Sequence, residues 1–141
     1  MVLRDGSGEF IEGRKLALPY PATVLEAESM GVREALSWVM SRQERRVIVE
    51  TDSLLTVRAV LGKQEYALEI GHVIEHCKLL LQLLPEVSVS FVRKQANKLA
   101  HSLARIPCSI YCYNVFTSLP THLLETIAND FFSLMKEVGL I

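Results

Sequence analysis

Two carboxylates stand out by where they fall. Asp52 closes a short β-branched run, Arg46 to Thr51 (RVIVET), just before a helical stretch. It therefore lies at the carboxyl end of a strand, the edge at which open α/β sheets gather ligands. Glu28 falls three residues after Leu25 and four before Val32, on the apolar stripe of a helical segment, whereas Glu26, Arg33 and Ser37 fall outward. A carboxylate turned toward a core is costly unless it is paired, hydrogen-bonded or bound to a metal. A helix glutamate and a strand-end aspartate converging at one sheet edge supply hard oxygen ligands of the kind that hold Mg²⁺. Asp52 with Ser53 also suits the N-cap of the following helix, and both readings stay open.

Other residues could do different chemistry. His72, Glu75 and His76 spell His-x-x-Glu-His, which in zinc hydrolases puts two imidazoles one helical turn apart around a general base. An amphipathic helix with two surface histidines gives the same string, and no flanking segment supplies the rest of such an enzyme. Cys108 and Cys112 are spaced like half of a zinc site, without a second pair. Arg93, Lys94, Asn97 and Lys98 form a basic segment of phosphate-contact types. Arg42, Arg45 and Arg46 form a smaller cluster that reads as an ordinary helix C-terminus.

The elements that must position these residues alternate. Arg4 to Gly8 (RDGSG) is a hairpin turn, entered by a stub of strand and left by a longer strand from about Glu9 to Leu18, which Pro19 and Pro21 end. Thr23 to about Ser41 is helical, and the RVIVET strand follows. A short helix, LLTVRAVL, stops at Gly62, and a third helix runs from about Ala67 to Leu84. Val87 to Val92 alternates as a strand with Val87, Val89 and Phe91 on one face. Arg93 to Arg105 starts basic and becomes helical, with Ala96, Leu99, Ala100 and Leu103 inward. The stretch from Pro107 to Leu119 reads as irregular, and Pro120 opens a last amphipathic helix through about Lys136. Alternating strands and helices make an α/β sheet domain.

Composition bounds the rest. A chain of 141 residues that is 50% hydrophobic can bury a core, which excludes intrinsic disorder. Fifteen Lys and Arg against 16 Asp and Glu give a net charge of −1, so nucleic acid must be met by a local patch rather than by the overall field. No apolar run approaches a membrane span and the N-terminus is too polar for a secretory signal, so a soluble intracellular chain is expected. Three cysteines, Cys77, Cys108 and Cys112, lack the density of a disulfide scaffold and are expected as thiols.

Five stretches resemble the ribonuclease H domain, and closely its plant, retroelement-derived, reverse-transcriptase-like branch. They are VLRDGSGEFIEG (Val2 to Gly13), LEAESMGVREAL (Leu25 to Leu36), VIVETDS (Val47 to Ser53), FVRKQANKLAHSLAR (Phe91 to Arg105) and LPTHLLETIANDF (Leu119 to Phe131). The resemblance implies an α/β fold, a mixed sheet flanked by helices, over residues 1–106, with residues 107–141 an extension bearing one amphipathic helix. It implies an RNA–DNA hybrid endoribonuclease that uses two metal ions held by four carboxylates. Carried over residue by residue, the helix glutamate is Glu28 and the strand-end aspartate Asp52. His101 stands where the late aspartate would, and the first-strand aspartate has no counterpart, because the chain begins inside the family's second strand. Asp5 cannot replace it, since it belongs to the hairpin turn.

The implied domain thus lacks its first, central strand. A truncated domain is the reading adopted; a strand from another chain or N-terminal segment, or a sheet that closes differently, would also meet the need. With two of four acidic ligands, Mg²⁺ or Mn²⁺ should bind weakly and cleavage should be impaired, since imidazole at His101 suits Mn²⁺ better than Mg²⁺. The resemblance implies contact with an RNA–DNA hybrid or other nucleic acid through Arg93, Lys94, Asn97 and Lys98, in nucleus or cytoplasm. A retroelement remnant that binds nucleic acid or protein without catalysis is the alternative.

Overall fold

The structure, a computed structural model, describes residues 1–17, 22–66, 68–107 and 113–124. Its strands are β1 (Val2–Arg4), β2 (Phe10–Leu16), β3 (Val47–Thr51), β4 (Val87–Phe91) and β5 (Tyr113–Phe116). Its α-helices are α1 (Val24–Arg42), α2 (Leu54–Leu61), α3 (Leu68–Leu83) and α4 (Lys98–Ala104). The chain forms two compact units, one of residues 21–92 and one of residues 1–20 with 93–141. The architecture is α/β, with antiparallel and parallel pairings divided between two sheets.

In the unit of residues 21–92, β3 and β4 pair in parallel, Val47 beside Val87 and Thr51 beside Phe91. Parallel neighbours need a crossover, supplied here by α2 and α3. Strand alternation sends Val49, Val87 and Val89 into a core with Val32, Leu36 and Val39 of α1, Val60 of α2, and Cys77 and Leu80 of α3. Helix α1 starts at a capping box, in which Thr23 Oγ1 accepts from the Glu26 N–H and the Glu26 carboxylate accepts from the Thr23 N–H. The bonds that the carboxylate accepts, from the Thr23 N–H foremost and from the Thr23 hydroxyl, hold the Glu26 carboxyl below the usual carboxylate range. The helix ends at Gln43, whose φ of 57° is the left-handed cap conformation. Arg45 and Arg46 therefore lie beyond the helix rather than in its last turn.

In the other unit, β2 is the middle strand of an antiparallel sheet ordered β1-β2-β5. The β1–β2 turn is locked by Asp5, whose Oδ1 accepts from Ser7 Oγ at 2.6 Å and from the N–H groups of Ser7 and Glu9 at 2.9 Å. These bonds, that from the Ser7 hydroxyl foremost, hold the Asp5 carboxyl below its ordinary range. Gly8 supplies the turn's positive φ, 87°. The core of this unit is Leu99 and Leu103 of α4 with Leu123, flanked by Val2, Phe10, Ile106, Phe116 and Leu119. Gly13 on β2 lets α4 approach closely, because a Cβ there would stand 2.9 Å from the Leu103 side chain.

The stretch before Leu119 is not irregular throughout, because Tyr113–Phe116 pairs with β2, Gly13 beside Phe116 and Leu16 beside Tyr113. A strand this short is specified by its distant partner, which local composition does not reveal. The basic segment opens with a 3₁₀ turn, Lys94–Asn97, before α4 begins. Phe91 ends β4 exposed, although it is in phase with buried Val87 and Val89. Cys108, Cys112, the strand end near Pro19 and Pro21, and the last helix beyond Leu124 lie outside the described residues.

Candidate functional site

The carboxyl end of β3 is built from a small hydrogen-bonded chain. Thr51 is in phase with Val47 and Val49, so its side chain faces the helices and is 4% exposed. Its hydroxyl donates to Glu28 Oε2 at 3.3 Å and accepts from the Ser53 N–H at 3.1 Å. One buried hydroxyl thus ties the α1 carboxylate to the backbone on the far side of Asp52. Glu28 is half-buried at the margin of the α1 stripe, whose centre is Ser29, Val32, Leu36 and Val39. The Thr51 bond offsets part of the cost of that burial.

Ser53, not Asp52, caps α2. Its Oγ accepts from the Thr56 N–H at 3.2 Å and from the Thr56 hydroxyl at 2.8 Å. Capping therefore does not account for the aspartate at this position. Glu28 and Asp52 are brought to one end of the parallel pair, within a single unit. Thr51 is the residue that sequence reasoning missed. The signal was available, since a hydroxyl in phase with two inward valines must find a polar partner.

The remaining candidates belong to the other unit. Arg93, Lys94 and Lys98 are exposed, and Asn97 and His101 are half-buried. The Arg93 carbonyl accepts from the Ala96 N–H at 2.9 Å, which starts the 3₁₀ turn and sets Lys94 and Lys98 on consecutive turns. Leu99 and Leu103, both buried, anchor α4 and give His101 a fixed place on it.

The His72, Glu75 and His76 string is exposed on α3, and Glu75 is held by Lys78 at 2.7 Å. Among the described residues no three His, Cys, Asp or Glu side chains are grouped closely enough to hold a metal ion. The two imidazoles and the carboxylate therefore do not assemble the zinc centre that their spacing allows. Cys77, in α3, is buried beneath α1, its thiol 3.8 Å from the Ser29 carbonyl, and burial pushes its pKa up to about 11. It is a packing group rather than a nucleophile.

Residues 1–106 match the profile of the reverse transcriptase-like family, three quarters of the chain. The chain belongs to this family. The reverse transcriptase-like match covers all of the residues just described up to Ile106, and its ribonuclease H-like architecture agrees with the α/β pairing around β3. Searches of curated proteins and of solved structures return no match. No described helix of this family member is long and apolar enough to cross a membrane.

Proposed function

We propose that the chain is a nucleic-acid-binding ribonuclease H-like module, directed at RNA–DNA hybrid and impaired in cleavage. The observation that carries this reading is the pair of carboxylates at the end of β3, Glu28 and Asp52, with no third acid grouped beside them among the described residues. The family reaction rests on four acidic ligands. The resemblance of the quoted stretches to the plant retroelement branch supports an origin in a retroelement and a place in nucleus or cytoplasm.

Glu28 and Asp52 are both hard oxygen donors, and their combined charge suits one hydrated divalent ion rather than two. Such an ion, Mg²⁺ or Mn²⁺, would activate water and stabilise the leaving oxygen of a phosphodiester. One Glu28 oxygen already accepts from Thr51, which fixes the carboxylate but uses part of its donor capacity. His101 stands at the position of the family's late aspartate, and an imidazole there is a poorer donor for Mg²⁺ than a carboxylate. Arg93, Lys94, Asn97 and Lys98 would contact the sugar-phosphate backbone, reading helix shape and 2′-hydroxyls more than sequence.

The test is binding and cleavage of a labelled RNA–DNA hybrid by the full chain, with Mg²⁺ and then Mn²⁺, alongside Asp52→Asn and an Arg93→Ala/Lys94→Ala/Lys98→Ala variant. Binding without cleavage is expected. The triple variant should bind more weakly, with a salt dependence shallower by about two to three counterions. Cleavage abolished by Asp52→Asn would overturn the impairment, and absence of hybrid binding would overturn the module.

A further inference from the structure

A buried hydroxyl fixes the direction of the hydrogen bonds at the end of β3. Thr51 Oγ1 carries a single proton and two lone pairs. The Ser53 N–H, 3.1 Å away, can only donate, so the hydroxyl accepts there and its proton is left for Glu28 Oε2 at 3.3 Å. The bonds therefore run one way, from the Ser53 N–H through Thr51 to Glu28. The first closes a short ring over Asp52, and the second reaches across to α1. Both ends of this chain are anchored. The Thr51 carbonyl accepts from the Val92 N–H at 2.9 Å, and Ser53 is held at the start of α2 by Thr56. Glu28 adjoins Ser29, which is fully buried in α1. Among the described residues Glu28 Oε1 accepts no hydrogen bond, so the two oxygens of this carboxylate are not equivalent.

We infer that Thr51 is a positioning residue that presents one oxygen of Glu28, rather than both, to a divalent ion, and so biases the site toward Mg²⁺ and against Ca²⁺. This rests on the reading above, that Glu28 and Asp52 meet a hydrated divalent ion. The two cations make different demands on a carboxylate. Mg²⁺ takes a near-ideal octahedron of oxygens at about 2.0–2.1 Å and keeps several waters, so single-oxygen contacts suit it. Ca²⁺ takes about six to eight oxygens at roughly 2.3–2.6 Å and gains from a carboxylate that chelates through both oxygens. To chelate, Glu28 would have to bend or release the bond at Oε2. The Thr51 side chain is 4% exposed, and a buried donor that loses its acceptor is costly. The hydroxyl therefore opposes chelation while leaving Oε1 available for a single contact.

Amide NMR titrations of the full chain with MgCl₂ and with CaCl₂, followed at residues 52 and 53, test this. The unaltered chain should bind Mg²⁺ at least as tightly as Ca²⁺, and Asp52→Asn should abolish both responses. In Thr51→Val the ratio of Mg²⁺ to Ca²⁺ affinity should fall at least about fivefold, because the freed carboxylate can chelate the larger ion. Thr51→Ser keeps the hydroxyl and should stay within about twofold of the parent ratio. A hydroxyl that only stabilised the fold would change both affinities by the same factor. An unchanged ratio in Thr51→Val, or a Thr51→Ser ratio as low as that of Thr51→Val, would thus overturn the positioning role and leave the acidic pair standing. Tighter binding of Ca²⁺ than of Mg²⁺ by the unaltered chain would do the same, with no variant required to fold. No response to either ion in the unaltered chain, or one that survives Asp52→Asn, would overturn the reading of the acidic pair and the role of Thr51 with it.

Discussion

The two units hold their chains together in different ways. In residues 21–92 the strands are parallel and far apart in sequence, and what joins them is a core drawn from three helices and both strands, with Leu36 and Cys77 fully buried. In the other unit the first two strands are joined by a turn that Asp5 ties together locally, and the buried cluster is smaller: Leu99, Leu103 and Leu123. Chemistry divides the same way, with the carboxylates in the helix-packed unit and the basic segment in the hairpin unit. The difference teaches that the acidic site is held by burial, whereas the basic segment is presented on an exposed turn anchored by two leucines. Damage to the first should spread through its unit, and damage to the second should stay local.

The strongest way to break that comparison is to empty each core. Leu36→Ala should destabilise the 21–92 unit by about 3–4 kcal/mol, and Leu103→Ala should cost the other unit about 2–3 kcal/mol. Trp38, the single tryptophan and buried in α1, reports the first by fluorescence in urea. Amide exchange in β2 reports the second. Equal costs, or Trp38 responding to Leu103→Ala as strongly as to Leu36→Ala, would remove the distinction between the units.

A pH series sharpens it next. The Cys77 thiol has its pKa raised to about 11 by burial, against 9.0 when unburied, so the native state keeps a proton that the unfolded chain releases. The stability this contributes is present below pH 9 and is lost as pH rises toward 11, on the order of 2 kcal/mol. Trp38-monitored unfolding at pH 8, 9 and 10.5 should show the loss, and Cys77→Ala should flatten it. A slope unchanged in that variant would place the cause elsewhere.

Thr51→Val keeps the shape of the side chain and removes the hydroxyl that joins Glu28 to the Ser53 N–H. It should cost about 1–2 kcal/mol, because a half-buried amide and a half-buried carboxylate lose a partner. If the hydroxyl also positions the acidic site, divalent-ion affinity measured by calorimetry should fall in step with Glu28→Gln. The smallest effect should come from Thr23→Ala, which opens the α1 capping box for about 1 kcal/mol. Its cost should appear in the Trp38 transition and leave exchange in β2 unchanged.

Most element boundaries and the phase of Glu28 were legible because their signals are local. The Thr23 and Glu26 capping box, the Asp5 turn, the β-branched run before Asp52 and the inward phase of Glu28 are each fixed by neighbours within a few residues. The strand Tyr113–Phe116 was not legible, because what makes it a strand is β2, about a hundred positions earlier in the chain. The choice of Ser53 over Asp52 as the α2 cap escaped sequence reading for a different reason, since both residues satisfy the local preference and only the bonds between Ser53 and Thr56 separate them.

By itself the sequence determined that this is an α/β member of the reverse transcriptase-like family, with a helix glutamate at 28 and a strand-end aspartate at 52. Periodicity, caps and residue identity are properties of short windows, and short windows suffice for them. Only the tertiary structure decided that Thr51 joins Glu28 to the Ser53 N–H and that the described strands divide between two sheets. Which side of a strand finds a partner depends on segments distant in the chain, and hydrogen-bond geometry fixes that only once they have packed.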